Sequence, residues 1–329
     1  MGVRTDAGST RRDRLARVAS HVEADEQVAR CAGAQHGAVE HGQVRRAGLT
    51  QRQVDLRVAA GRLVRSHPRV FVIAGAPATW EQSVMAAVLA GGAGAIASHS
   101  TAAALWSFPD AEREAVIEIT VPRPRLPRLR GVRVHRSVAI EDDDVAMIGA
   151  IATTAVPRTL IDLTAVRGLG WIARALDDAV RRNLTTLRHA RACADRLRGA
   201  PGRRPSVLRL LVAERFEVGG GKTESWLERV VLGVLLDAGI PAPEPQFPVV
   251  VDGHRYRLDF AWPDQRVALE VDGFGPHSAY GAFHDDRRRD LLLRRKERWR
   301  VLHVTAETPA PEIIASVVPE LELPAALEH

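Results

Sequence analysis

Apolar residues in this chain follow helical spacing in some stretches and strict alternation in others, with turn residues between them. From Glu40 to Ala47 the pattern predicts a short helix, Gly48-Leu49 a tight turn, and Thr50 to Ala60 a second helix opened by a Thr50-x-x-Gln53 capping box. Val54 and Val58, four apart, face inward, while Gln51, Arg52, Asp55 and Arg62 face out. Leu63 to Ile73, turning at His67-Pro68-Arg69, reads as a two-stranded wing, and the segment 28–78 as a winged helix-turn-helix. In such a module Gln51 and Arg52 would stand where base edges are read, and Arg65 and Arg69 would suit backbone phosphates.

The pattern then predicts a helix over Trp80 to Leu89, a strand over Ala115 to Val121 ended by Pro122, Pro124 and Pro127, and a strand over Gly131 to His135. Helices near Pro157 to Val166 and Trp171 to Arg182 complete a mixed α/β middle domain, 79–198. Two Gly/Pro-rich clusters, Gly199 to Pro205 and Gly219 to Gly221, flank a short apolar helix and mark 199–222 as a linker. The third domain, 223–317, runs helix, two strands, a very basic helix from Phe283 to Arg298, and a strand at Val301 to Val304. Residues 1–27 and 318–329 are expected to be tails.

Chemistry concentrates in the two strands of that third domain. Alternation places Asp259 with Arg257 and Ala261, opposite to Leu258 and Phe260; Glu270 and Asp272 share the face opposite to Val267, Leu269 and Val271. If Asp264 and Gln265 form a two-residue loop, Asp259 and Glu270 become direct cross-strand neighbours. Like charges so placed destabilise a sheet by roughly 0.2 to 1 kcal/mol when exposed, and a divalent cation with oxygen ligands, Mg2+ or Mn2+, would offset that. The alternative is a solvated outer face of an ordinary hairpin. Upstream, the helix from Ser225 to about Ala238 carries Glu228 beside its apolar stripe of Leu227, Val230, Val231, Val234 and Leu235, within reach of the same site or of Arg229 and Lys222. Downstream, Gly273-Phe274-Gly275-Pro276 delivers His277, and the basic helix offers Arg287 and Arg289 to phosphates.

Charge and cysteine content narrow the classes. Forty-six Lys and Arg against forty Asp and Glu give a net charge of +6, almost entirely from arginine, which suits a polyanionic partner such as DNA. Cys31 and Cys193 alone exclude a disulfide framework and a four-cysteine zinc site, and fit a reducing cytoplasm. His277 and His284 have no paired cysteines, so zinc finds too few ligands there. Met1 to Arg17 lacks the apolar core of a signal peptide, and the apolar run Val84 to Ala97 is short enough to be a buried helix, so no membrane partner is expected. Gly221-Lys222-Thr223 is not a phosphate-binding loop, because Phe216 stands where that motif needs glycine.

Taken together, Ser225-x-x-Glu228, Arg257-x-Asp259-Phe260-Ala261-Trp262-Pro263, Glu270-Val271-Asp272-Gly273, His277 and Phe283-x-x-Asp286-x-x-Arg289-Asp290-x-x-Leu293 resemble the domain-of-unknown-function branch of the PD-(D/E)XK nucleases related to very-short-patch-repair endonucleases. The resemblance implies a restriction-endonuclease-like α/β core, metal ligation by Asp259 and Glu270, support from Glu228, and a role for His277 in proton transfer or phosphate contact. Asp272 departs from the superfamily pattern, which has a lysine in that slot. The region 28–197 resembles the AbiEi type IV antitoxins, notably in Ser98-His99-Ser100-Thr101-Ala102-Ala103-Ala104-Leu105-Trp106 and Pro157-Arg158-Thr159-Leu160-Ile161-Asp162-Leu163. His99 and Trp106 are expected to pack at helix ends, and Arg158 and Asp162, four apart, to form a structural ion pair. The fold class expected is therefore an α+β multidomain chain. Two functions follow: a metal-dependent DNA endonuclease, or an antitoxin-like DNA-binding regulator, with a toxin or other protein partner, whose nuclease fold does not cut.

Overall fold

The computed structural model describes residues 11–138, 140–200, 202–217, 224–251, 253–272 and 298–323. They form an α+β arrangement in two compact units, Met1–Ser107 with Ala111–Ala155, and Phe108–Asp110 with Val156–His329. The division falls inside the segment 79–198, which the sequence pattern treats as one body. Its strands belong to a sheet in the first unit, whereas its later helices bury their apolar faces on other helices in the second.

In the first unit, helix α1 (Arg11–Ala34) is followed by β1 (Ala38–Glu40), α2 (His41–Arg46), α3 (Gln51–Ala59), β2 (Leu63–His67) and β3 (Val70–Ile73). The three strands pair antiparallel in the order β1-β3-β2. Both short helices begin in capping boxes: the Glu40 N–H donates to Gln43 Oε1 at 2.8 Å, and the Thr50 N–H to Gln53 Oε1 at 2.7 Å. Gly48, at φ 97°, makes the turn between them. Val44, Leu49, Val54, Leu63 and Phe71 share one core, with Val58 packed on it. The tail expected over 1–27 gives way to helix α1 from Arg11. Ala24, Val28 and Ala32, four apart, line that core, and Arg57 Nε meets Asp25 Oδ1 at 2.6 Å. Three small or medium apolar residues among charged neighbours make a stripe too faint for the pattern to register.

The same unit contains a five-stranded sheet in the order β6-β5-β4-β8-β7. Its strands are β4 (Ile96–Ala97), β5 (Ile117–Pro122), β6 (Val132–Ser137), β7 (Val145–Ile148) and β8 (Ile151–Thr154). The pairs β5/β6 and β4/β8 are parallel, the others antiparallel. Helices α4 (Trp80–Gly91) and α5 (His99–Leu105) pack on it. At Gly91 a side chain would meet Ala95 Cβ at 2.6 Å and Ile119 Cδ1 at 2.9 Å, so glycine allows α4 to lie close to β5.

The second unit opens with α6 (Val156–Leu163), α7 (Leu169–Arg181), α8 (Leu187–Arg196), α9 (Pro205–Glu217) and α10 (Glu224–Asp237). Helix α9, expected as a spacer in the 199–222 linker, is core: Val207, Leu208, Leu211 and Val212 are fully buried, and α6, α7, α8 and α10 all pack on it. Arg158 Nε donates to Asp162 Oδ1 at 3.0 Å with both side chains buried, and Arg203 joins the same oxygen. The sheet of this unit, ordered β12-β11-β10-β9, comprises β9 (Glu244–Val251), β10 (His254–Trp262), β11 (Val267–Asp272) and β12 (Arg300–Thr305). The first three strands in sequence run antiparallel, and β12 is parallel to β11. Helix α10 and a helix at Ala310–Val317 pack on each other, α10 also on β11 and the latter on β12.

Candidate functional site

The turn between β10 and β11 closes with the Arg266 N–H donating to Pro263 O at 3.2 Å, so Asp264 and Gln265 form the two-residue loop. Phe260 then pairs with Leu269, Ala261 with Ala268 and Trp262 with Val267. Continued by one step past its last pair, this register brings Asp259 level with Glu270. The regular ladder ends there, and the Val271 N–H donates to Asp259 Oδ2 at 2.8 Å. The neighbouring strands extend the row. On β9, whose register with β10 places Gln246 level with Asp259, Gln246 Nε2 reaches Asp259 Oδ1 at 3.4 Å; on β12, His303 pairs with Glu270. Gln246, Asp259, Glu270 and His303 therefore form one polar row across four strands.

Helix α10 adds a third carboxylate. Trp226, Leu227, Val230, Val231, Val234 and Leu235 are buried, and half-buried Glu228 beside them accepts from Gln246 Nε2 at 2.8 Å. Arg229 turns instead to Glu214. The Gln246 amide thus bridges Glu228 and Asp259. Its backbone sits at φ 54°, and its Oε1 is buried with no hydrogen-bond donor among the described residues.

Glu270 is only 6% exposed, which rules out a solvated outer face. A carboxylate taken out of water must be compensated by hydrogen bonds, a proton or a cation. The residues suit a hard cation: three carboxylates and, if the Gln246 amide turned over, a carbonyl oxygen, all oxygen donors of the kind Mg2+ and Mn2+ take. Asp272, at the end of β11, is exposed, and its Oδ2 lies 3.5 Å from His303 Nδ1. His277, Arg287 and Arg289 lie outside the described residues.

Gln246 and His303 were not singled out from the sequence. Neither strand marks its polar residue by pattern, since β9 also holds Glu244 and β12 also holds Arg300 and Thr305, and only cross-strand register, which is not local in sequence, brings Gln246 and His303 to the carboxylates.

In the first unit, Gln51 and Arg52 are exposed at the start of α3. Gln51 is already engaged, its Oε1 at 2.7 Å from His41 Nε2 and its Nε2 donating to Asp55 Oδ1 at 3.0 Å. Arg65 on β2 lies 3.5 Å from the same Asp55 oxygen and stacks over Phe71 at 5.2 Å. Exposed Arg69, at φ 63° in the β2–β3 turn, reaches Glu40 at 3.9 Å. Asp55 therefore connects the start of α3 to β2. Among the described residues no helix is long and apolar enough to cross a membrane.

No family model matches the chain. Two curated proteins of Mycobacterium tuberculosis, uncharacterized proteins MT2308 and Rv2248, are each 30% identical over 271 residues, covering 82% of this chain and 92% of their own length. Among solved structures, that of RV2827C protein from Mycobacterium tuberculosis aligns with a TM-score of 0.40 and 16% identity, over 70% of this chain and 89% of its own.

Proposed function

The chain belongs to the same family as the uncharacterized Mycobacterium tuberculosis proteins MT2308 and Rv2248, and on its geometry we propose that it is a metal-dependent DNA endonuclease hydrolysing phosphodiester bonds. The observation that carries this reading is the row of Gln246, Asp259, Glu270 and His303 across one sheet, joined by Glu228 from the helix upstream. A buried carboxylate beside a second one, with a third bridged to them, is expensive to assemble unless a cation repays it. Asp259 and Glu270 would hold Mg2+ or Mn2+, with Glu228 and the Gln246 carbonyl in support. The ion would supply Lewis acidity to a phosphoryl oxygen and lower the pKa of a water.

This chain's own groups do the rest. The Val271 N–H donating to Asp259 Oδ2 holds that carboxylate in place. His303 Nδ1 faces Asp272 Oδ2, so the imidazole can take a proton from the attacking water while Asp272 orients it and balances the charge. That pairing gives Asp272 a use in the slot where the PD-(D/E)XK pattern has lysine. Residues 28–78 serve in this reading as the DNA-binding module: the order β1, α2, α3, β2, β3 supports a winged helix-turn-helix, as does the exposure of Arg52 and Arg69 on it.

A second reading, an antitoxin-like DNA-binding regulator that does not cut, is favoured by one observation, the acidic residue Asp272 in the lysine slot. Supercoiled plasmid incubated with the full-length chain and Mg2+ or Mn2+, beside an Asp259→Ala variant, separates the two. Nicked or linear product from the parent chain and none from the variant is the expected result. A shifted but uncut plasmid with both proteins contradicts the endonuclease and leaves the regulator.

A further inference from the structure

A cluster built from other residues lies in the first unit. Glu118 on β5, His135 on β6 and His99 at the start of α5 bring their ligand atoms to within 4.8 Å of one another. We propose that His99, Glu118 and His135 form a binding site for a divalent transition-metal ion of the zinc type, with one coordination position left open.

The fold assembles this trio deliberately. Parallel pairing of β5 with β6 sets Glu118 beside Arg133 and Thr120 beside His135, so Glu118 and His135 are diagonal neighbours on one face. Helix α5 is tied to the same strand twice: the Ser98 N–H donates to Glu118 O at 3.0 Å, and the Glu118 N–H to Thr101 Oγ1 at 2.8 Å. His99 sits at φ 52°, a left-handed conformation that non-glycine residues adopt rarely and that clusters at functional positions. In that conformation its ring stacks on His135 at 3.6 Å between centroids, 15° from parallel.

The chemistry of the trio is a nitrogen–nitrogen–oxygen donor set. His135 Nε2 lies 2.6 Å from Glu118 Oε2. His99 Nδ1 lies 3.0 Å from Ser98 Oγ, which also receives Thr120 Oγ1 at 2.8 Å; such a second-sphere bond would fix the ring and make Nε2 its ligating nitrogen. Glu118, buried on β5, offers its Oε2 as the oxygen ligand, already in contact with His135 Nε2. A dication held between the two rings and Glu118 would supply the positive charge that a buried carboxylate needs. Three protein ligands with a fourth position open is the arrangement of water-bearing zinc sites, and two imidazoles exclude the all-oxygen preference of Mg2+. The competing group is Arg133, whose Nη1 stands 3.6 Å from Glu118 Oε2 on a side chain 63% exposed and able to swing away.

The test uses the untagged full-length chain, stripped with a chelator and titrated with Zn2+ against a chromogenic competitor and with Co2+ by visible absorption. One equivalent should bind and give the intense d–d bands of low-coordinate cobalt. His135→Asn and His99→Asn, both partly exposed positions, should each abolish those bands; Ser98→Ala should weaken Zn2+ binding about 10–100-fold; Arg133→Gln should tighten it. An Asp259→Asn/Glu270→Gln double variant should leave the bands unchanged, which keeps this site distinguishable from the proposed nuclease centre. Absence of cobalt bands in the parent chain, or bands that survive both histidine substitutions while circular dichroism shows every variant folded, overturns the proposal.

Discussion

Replacing Glu118 by glutamine offers a quantitative check on the electrostatics of the first unit. The Glu118 carboxyl is buried, and burial by itself raises its pKa; the hydrogen bond from His135 and three nearby positive groups reverse this and bring it from 4.5 to about 2. A carboxyl whose folded pKa lies below its unfolded one stabilises the fold above the unfolded value and loses that contribution as pH falls towards the folded one. At 1.36 kcal/mol per unit, the shift corresponds to about 3 kcal/mol, present above pH 4.5, of which roughly 2 kcal/mol has gone by pH 3. Glutamine keeps the shape but has no charge to lose, so the variant should be less stable by about 2–3 kcal/mol near pH 5.5 and close to the parent at the acid end. Hydrogen exchange on peptides spanning 117–137, in the presence of a chelator and corrected for intrinsic rates, reads this unit directly. Protection of parent and variant that falls in parallel from pH 5.5 to pH 3 would mean that the Glu118 charge does not stabilise this unit.

Two further substitutions probe the second unit. At Gly168 a side chain would lie 2.4 Å from the backbone carbonyl group of Glu307, beside the Gly170 N–H to Ala306 O bond, and a backbone cannot swing aside as a side chain can. Gly168→Ala should therefore cost about 1–3 kcal/mol and lower the melting temperature; an unchanged or raised value contradicts that close approach. Asp162→Ala leaves the buried Arg158 guanidinium without the carboxylate it shares with Arg203, and should cost about 3–5 kcal/mol in urea unfolding, with part recovered in an Arg158→Met/Asp162→Ala double variant. Equal stability of the single and double variants would mean that the buried charge is satisfied elsewhere.

Much of this architecture was legible because its signals are local. Period-2 alternation through Leu258 to Ala261 and Val267 to Asp272, closed by a two-residue turn, fixes the pairing of Phe260 with Leu269, and the Thr50-x-x-Gln53 capping box locates α3. What escaped is non-local or faint. Strands β4, β7 and β8 hold two to four residues each, too short for periodicity to speak, and they find their places only by pairing across the sheet. Helix α9 carries an apolar stripe between two glycine-rich clusters, and the clusters outweighed the stripe until packing showed Leu208 and Leu211 buried. Arg158 and Asp162, by contrast, were readable as a pair from their spacing alone, although not the arrival of Arg203. His99, Glu118 and His135 come from a helix start and two strands, with no spacing rule linking them, so a search of the sequence for zinc ligands among cysteines and neighbouring histidines passes over them.

Anomalous diffraction from crystals of the full-length chain soaked in Mn2+ shows whether Asp259 and Glu270 converge on one cation. The expected map has a peak about 2.0–2.3 Å from a carboxylate oxygen of each residue, with the Gln246 amide turned to offer its oxygen. A map with no peak between them, and with Gln246 still donating to Glu228 and Asp259, would contradict it.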